Sequence, residues 1–277
     1  MRIAHASLAL MLFPLMAATA QADQWADIQA RQTLGCGVYS DVPPFSSPNP
    51  QTRQLEGMDV DLCTALAQQL GVKLELKPLS GEARIAEVKM GRVDVVVANL
   101  AYTKTRAQQI QFSDPYYVAK EVLVVKKPLV HKPRAFFEGK RISATKGSTS
   151  EQSIRMAKAT PVTFQDTGSA YLAVQQNKVL GVVTNTMSAT KLVSQAKAGG
   201  VDLGITAEPM ALEPIGVGMK LDQPALLAKV NQALYAMDQS GQIDQIWNKW
   251  IGPQTEYNLV REERVQKLTD MKFEALE

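Results

Sequence analysis

Two successive series of short apolar runs, each run followed by an amphipathic stretch, constrain this chain more than any other feature. In the first series residues 34–39 read as a strand, and 59–70 as a helix with Asp59 as its cap and Gly71 as its stop. Residues 72–79 alternate as a strand, 83–90 are helical up to Gly91, and 93–98 form a continuous apolar run of the kind a strand buried on both faces requires. The second series reads as a strand at 142–145, helices at 150–158 and 169–176, a strand at 179–184 and a short strand at 215–219. Amphipathic helices follow over 224–237 and 243–250, and the polar, charged stretch from Pro253 is expected to wrap the surface. Such alternation builds α/β lobes around parallel strands. The Lys- and Pro-bearing stretch 126–133 reads as a passage out of the first lobe. Residues 23–125 with 215–277 are therefore expected to form one lobe and 126–214 the other, with crossings near Lys126 and Pro214.

The two series echo each other. Met90-Gly-Arg-Val-Asp-Val-Val-Val-Ala-Asn99 and Gln176-Asn-Lys-Val-Leu-Gly-Val-Val-Thr-Asn185 share a helix end, a turn, a basic residue, a buried strand and a closing Asn at a constant offset. Ligands of open α/β sheets bind beyond the carboxyl ends of the strands. Two lobes facing each other would bring Asn99 and Asn185 to one cleft.

Arg2, an apolar run over 8–18 and Ala20-Gln21-Ala22 have the order of a secretory signal peptide, with cleavage expected after Ala22. The run is shorter than the about 20 residues that cross a bilayer, and an exported, periplasmic protein is expected. The formal charge of +3 comes from scattered Lys and Arg rather than a basic patch, so no nucleic-acid partner is expected. The chain has two cysteines, Cys36 in the first strand and Cys63 on the apolar face of the following helix. They read either as two small buried hydrophobes or as a disulfide of an oxidising compartment. His5 and His131 stand apart from both, so no metal site and no cofactor is expected.

Three segments carry chemistry. Arg106 lies in the first turn of a helix starting near Thr103, just past the strand end at Asn99. The helix dipole disfavours a cation there, whereas a carboxylate ligand would favour its planar fork. Lys146-Gly-Ser-Thr-Ser-Glu151 is a Gly turn with a capping box, Ser148 to Glu151, whose exposed N–H groups bind anions readily. Arg84 follows the second strand and, alone, reads as a solvated arginine.

In this order these segments resemble the family-3 solute-binding proteins of bacterial ABC transporters. The matching runs are Val42-Pro-Pro-Phe45, Gly57-Met-Asp-Val-Asp-Leu62, Gly91-Arg-Val-Asp94, Phe112-Ser-Asp-Pro-Tyr-Tyr117, Gly147-Ser-Thr-Ser-Glu151, Glu213-Pro-Ile-Gly216 and Trp247-Asn-Lys-Trp-Ile-Gly252. The resemblance implies a two-lobed α/β fold of the type II periplasmic kind that closes by a hinge on an amino acid and delivers it, as a monomer, to a membrane permease. It implies that Arg106 holds the α-carboxylate, helped by Thr149 and by N–H groups near Gly147 and Ser148. Asn99 and Ala101 fall where the family offers ligand-facing Ser or Thr, and Asn185 where an Asp pairs the α-ammonium. Arg84 falls in a stretch similar to that of glutamate- and aspartate-binding members, where an Arg meets the distal carboxylate. Asn185, Ala101, Val42 and Gly81 depart from the family by removing an acid, a hydroxyl and two aromatics. An acidic amino acid or other dicarboxylate is therefore expected, and a cationic ligand is not, because the pocket is short of carboxylates. The rival is a cleft enzyme similar to cyclohexadienyl dehydratases; the stretch after Asn185 offers no acid for it, and no enzyme is expected.

Overall fold

The computed structural model describes residues 23–277; the signal-like segment 1–22 lies outside the described residues. From Asp23 the chain forms α1 (Gln24–Arg31), β1 (Thr33–Tyr39), a short hairpin of β2 (Ser47–Pro48) and β3 (Leu55–Glu56), then α2 (Met58–Leu70). Next come β4 (Lys73–Leu79), α3 (Ala83–Lys89), β5 (Val95–Val96), α4 (Lys104–Ala107) and β6 (Gln111–Phe112). A second unit follows with β7 (Tyr117–Lys126), β8 (Arg141–Thr145), α5 (Thr149–Met156), β9 (Thr160–Phe164), α6 (Thr167–Gln175), β10 (Gly181–Asn185), α7 (Thr186–Ala198), β11 (Leu203–Ile205) and β12 (Ala211–Ile215). The chain returns through β13 (Gly218–Met219) to α8 (Pro224–Gln239) and α9 (Gln242–Trp250).

These elements build two sheets. The first runs β4-β1-β5-β13-β6, with β1 parallel to β4 and β5, and β13 antiparallel to its neighbours. The second runs β11-β7-β10-β8-β9, and β12 also pairs with β7. In the first sheet Val95 and Val97 face the helices α2, α8 and α9, through Leu62, Leu66, Leu234 and Trp247. Val96 and Ala98 point the other way, to Val88 of α3 and to Ile110. Both faces of the sheet are thus covered, which is why residues 95–98 carry no polar alternation, while Asp94 before them accepts the Gly35 N–H at 2.7 Å. Its ladder is shorter than the run, because β1 pairs with it only at Val95 and Val96.

The long strand β7 corrects the expected lobe boundary. Residues 123–125 read as the end of the first lobe, yet all of β7 pairs within the second sheet, from Tyr117↔Ile215 at one end to Lys126↔Leu203 at the other. Val122 and Val124 face the α6 and α7 side, while Leu123 and Val125 face the α5 side. A strand buried between two helix layers is central to its sheet, and residues 126–133 are a connection inside the second lobe. The passages between sheets fall at 113–117 and 215–218. They are bonded to each other: Ser113 N–H to the Val217 carbonyl (2.9 Å), Val217 N–H to Ser113 Oγ (2.9 Å) and Tyr116 N–H to the Ile215 carbonyl (3.0 Å). Pro214 stands at the end of β12, beside this junction.

The tail beyond Pro253 wraps the surface without being wholly solvated, since Tyr257, Val265 and Leu276 are buried. Its buried Arg261 bonds Asp238 (2.7 Å), Asp244 (2.9 Å) and the Tyr116 carbonyl (3.1 Å). Cys36 and Cys63 form a disulfide that ties β1 to α2, closing a loop with a sequence separation of 27. Restricting a loop of this length in the unfolded chain stabilises the fold by about 3 kcal/mol. The double substitution Cys36→Ala/Cys63→Ala should lower the melting temperature by on the order of 10 °C in a thermal scan; an unchanged melting temperature would show that the bridge adds nothing to stability.

Candidate ligand-binding site

The site assembles where the strands of the first sheet end. Gly57 precedes α2 with φ 144°, and a Cβ there would meet the Phe45 carbonyl oxygen at 2.2 Å, so only glycine fits this close approach. Gly57, not Asp59, is the N-cap, and Asp59 turns inward instead. It is fully buried, and burial pushes its carboxyl up to about 7 against the opposing pull of the Asn99 N–H, Arg84 and the Tyr116 hydroxyl. Beyond it, Asn99 takes a left-handed conformation, φ 42°. The Asn99 side-chain oxygen accepts a hydrogen bond from the Tyr117 hydroxyl, which reaches it from the second sheet.

Two residues on, Ala101 makes a bridge to Ile215 and buries its methyl group. Its carbonyl accepts from Arg106 Nη1 at 2.8 Å. Thr103 caps α4 by accepting from the Arg106 N–H at 3.2 Å. The strand end, the cap and the carbonyl together fix the Arg106 guanidinium. Arg106 is held below its ordinary pKa, first by burial and then by the neighbouring Arg84, with Glu213 and Tyr39 opposing. Arg84 is not the solvated arginine its local sequence suggests. It is 9 % exposed, bonds the carbonyls of Gly81 (2.9 Å) and Ala98 (2.8 Å), and lies 4.6 Å from the Tyr39 ring centre. Two guanidinium groups thus share one end of the site.

The second lobe presents the first turn of α5. Gly147, at φ 70°, gives its N–H to Glu151 Oε2 (2.8 Å). Ser148 Oγ accepts the Glu151 N–H (3.2 Å) and donates to the Thr145 carbonyl (2.6 Å). The capping box therefore uses the Gly147 N–H and the Ser148 hydroxyl internally. That differs from the expectation that both regions serve a ligand, and Thr149 is left as the polar group of this turn facing the cleft acids. Asn185 ends β10 and caps α7, its Oδ1 accepting the Ser188 N–H at 2.9 Å. That oxygen is engaged in the cap.

The sequence reading missed two acids. Glu121 of β7 stands opposite Asn185 on one side and Ala211 on the other, and Glu213 stands opposite Ala119. Glu121 and Glu213 are therefore diagonal neighbours on one face of the sheet. They are 3 % and 5 % exposed, respectively. Burial, and then the charge of Glu213, push the Glu121 carboxyl up, against the hydroxyls of Ser150 and Thr149. Burial likewise pushes Glu213 up, and the Thr149 hydroxyl and Arg106 pull it back. Arg106 and Glu213 are thus close enough for each to shift the other's titration. Two buried acids thus stand in the second lobe beside the Arg106 end of the site, so a shortage of carboxylates does not exclude a cationic ligand, while the stretch after Asn185 still carries no acid. The local signal was an acid at the head of the apolar run 122–125, on the parity that faces α5. Among the described residues no group of three or more His, Cys, Asp and Glu is arranged to hold a metal ion, and no helix is long and apolar enough to cross a membrane.

The sequence model of the bacterial extracellular solute-binding proteins, family 3, matches residues 34–253. The ABC transporter glutamine-binding protein of Bacillus subtilis is 28% identical over 235 residues, 83% of this chain and 85% of that protein. Among solved structures, an ancestral arginine-binding protein bound to arginine is 34% identical, covering 80% of this chain and 99% of that one, with a TM-score of 0.63. An ancestral amino acid-binding protein described as a precursor of cyclohexadienyl dehydratase is 30% identical, covering 83% of this chain and all of that one, with a TM-score of 0.65.

The acid pair has a measurable consequence. A carboxyl whose folded-state pKa is raised keeps its proton in the fold after the unfolded chain has released it near 4.5, so stability falls as pH rises from there to about 8. Glu121→Gln removes the titration without changing shape. The melting temperature of the variant, relative to the parent, should rise by on the order of 5 °C between pH 5 and pH 8; a difference that is flat with pH would place Glu121 in a solvated, unperturbed setting.

Proposed function

This chain belongs to the bacterial extracellular solute-binding proteins, family 3, and we propose that it captures a small amino acid in the periplasm and delivers it to the permease of an ABC importer. The observation that carries the reading is the half-buried Arg106, aimed by the Ala101 carbonyl and the Thr103 cap. A guanidinium held in this way offers a carboxylate two parallel donors. A ligand that joins Arg106 to the α5 turn bridges both lobes, and it shifts the open–closed balance by as much as it prefers the closed form. The junction at 113–117 and 215–218 is where the chain would bend, and the protein acts as a monomer. The Cys36–Cys63 bridge fits an oxidising compartment.

Arg84 beside Arg106 favours a second carboxylate, hence glutamate, aspartate or another dicarboxylate. Glu121 and Glu213 favour a second reading, a basic amino acid. Relatives named for glutamine and for arginine leave the side chain open. Binding rather than catalysis is the reading here. Turnover of a cyclohexadienyl carboxylate by the purified protein would replace it, with a buried acid of this pair as the proton donor.

A thermal-shift series across amino acids and dicarboxylates ranks the ligands. The expected outcome is a larger rise with glutamate or aspartate than with neutral or basic amino acids; lysine or arginine ranking first would transfer the assignment to the second reading. Arg106→Ala should weaken the best ligand at least about tenfold by calorimetry, the loss of about 1.4 kcal/mol or more expected of one charge-assisted pair. Unchanged affinity would remove Arg106 from the site.

A further inference from the structure

The two buried acids lie outside the carboxylate-binding role given to Arg106, and their surroundings leave them without a matching cation. Glu121 Oε2 and Glu213 Oε1 are buried and have no hydrogen-bond partner among the described residues. Both side chains are more than nine-tenths buried. Two carboxyl groups on one sheet face, with open acceptor positions, are costly to bury unless a cation or a donor meets them. Thr149 and Ser150 supply hydroxyls, and Arg106 is the nearby guanidinium for Glu213. Once a ligand carboxylate occupies Arg106, that compensation is shared, and a positive charge placed beside the pair would let both acids ionise.

We propose that Glu121, with Glu213 diagonal to it, receives the α-ammonium of the bound amino acid, so that the acid of this site stands on β7 instead of at the end of β10. The proposal rests on the amino-acid reading above and names the residue that would recognise the amino end. Register places it: Glu121 is the cross-strand partner of Asn185 and shares a face with Glu213, over the N-terminal turn of α5. Asn185 is neutral, and its oxygen is occupied by the Ser188 N–H. In an α-amino acid the ammonium and carboxylate are joined through one carbon. A zwitterion therefore places its two charges side by side, as Arg106 and Glu213 lie side by side here. Mutual neutralisation of this kind offsets the burial of both protein charges and both ligand charges at once. An inorganic cation is a poorer match, since no metal-ligating group of three or more is arranged among the described residues.

The test compares amino acids with their desamino analogues on the purified protein by calorimetry: L-glutamate against glutarate, and L-arginine against 5-guanidinopentanoate. For whichever amino acid binds, the parent protein should prefer it to its analogue by at least about tenfold, one charge-assisted contact. In Glu121→Gln the preference should shrink to less than about threefold. In Glu121→Gln/Asn185→Asp it should return, because an Asp at 185 can still cap α7 and carries a carboxylate one strand away. Glu121→Asp, which keeps the charge, should give an intermediate preference and serves if the amide variant does not fold. A tenfold preference that survives in Glu121→Gln overturns the proposal while leaving amino-acid capture intact. Equal affinity of parent protein for an amino acid and its analogue overturns it too. Failure of every amino acid to bind the parent protein overturns both readings together.

Discussion

The hydrogen bonds that join the two passages between the sheets are the constraint on which the rest depends. Ser113, Tyr116, Ile215 and Val217 exchange backbone and side-chain bonds across them, and β12 then runs antiparallel to β7 from Tyr117↔Ile215 onward. Because side chains alternate along strands, this register decides that Tyr117, Ala119 and Glu121 share a face with Ala211, Glu213 and Ile215. A slip of β7 by one residue would send Glu121 to the face of α6 and α7, and would turn Tyr117 away from Asn99. The Ala101↔Ile215 bridge and the bond from the Tyr102 N–H to the Pro214 carbonyl (2.9 Å) carry the same register into the first lobe. Arg106 and Glu213 are neighbours because the junction fixes both.

Charge burial gives the site its chemical character. Arg84, Asp59, Glu121 and Glu213 are all buried, and buried ionisable groups persist where partners, hydrogen bonds or a retained proton offset desolvation. Arg84 meets that condition within its own lobe, through two carbonyls and the Tyr39 ring. Asp59 meets it in part, with one oxygen left unpartnered among the described residues. The Glu pair meets it least, and it lies where the two lobes face each other. Compensation is thus most complete deep in the first lobe and least complete at the cleft, which is the distribution expected where a charged ligand supplies the remainder.

Much of this was legible in the sequence. The strand–helix alternation announced two α/β lobes, since the 2 and 3.6 periodicities follow from burying one face of each element. The placement of Arg106 just past the strand end at Asn99 and after the Thr103 cap was legible, but the dipole argument was not a sound guide, because α4 is a single turn, Lys104–Ala107. Register was not legible. Glu121 reads locally as one acid in the charged stretch Lys120-Glu121, and only its pairing with Asn185 and Ala211 turns it inward. The lobe boundary failed for a related reason: a strand buried on both sides looks alike in either sheet, and hydrogen-bond partners distant in sequence decide its membership. The roles expected of Gly147 and Ser148 missed the competition inside the capping box, where Glu151 claims the Gly147 N–H.

The tail shows how such a junction can bend without coming apart. Its links to the first lobe include buried ones: Arg261, with a side chain only 2 % exposed, joins Asp238 of α8 and Asp244 of α9, and the Trp247 indole N–H bonds the Leu259 carbonyl at 3.0 Å. Its ion pairs to the second lobe have exposed partners, Glu262 with Lys120 of β7 and Glu256 with Lys191 of α7, beside the apolar contact of Met187 of α7 with the core that holds Tyr257 and Val265. Exposed pairs contribute about 0–1 kcal/mol and exchange readily with water, whereas breaking a buried pair costs about 3–5 kcal/mol. A rotation of the second lobe would therefore release the exposed pairs and keep the tail seated on α8 and α9. Arg261 also bonds the Tyr116 carbonyl, at the end of the passage from the first sheet, so the tail braces the fixed side of the bend. Were the lobes to close on a ligand as proposed, the bend would fall in the few residues between Ser113 and Tyr117 and between Ile215 and Gly218, with Arg106 and the acid pair on opposite sides of it.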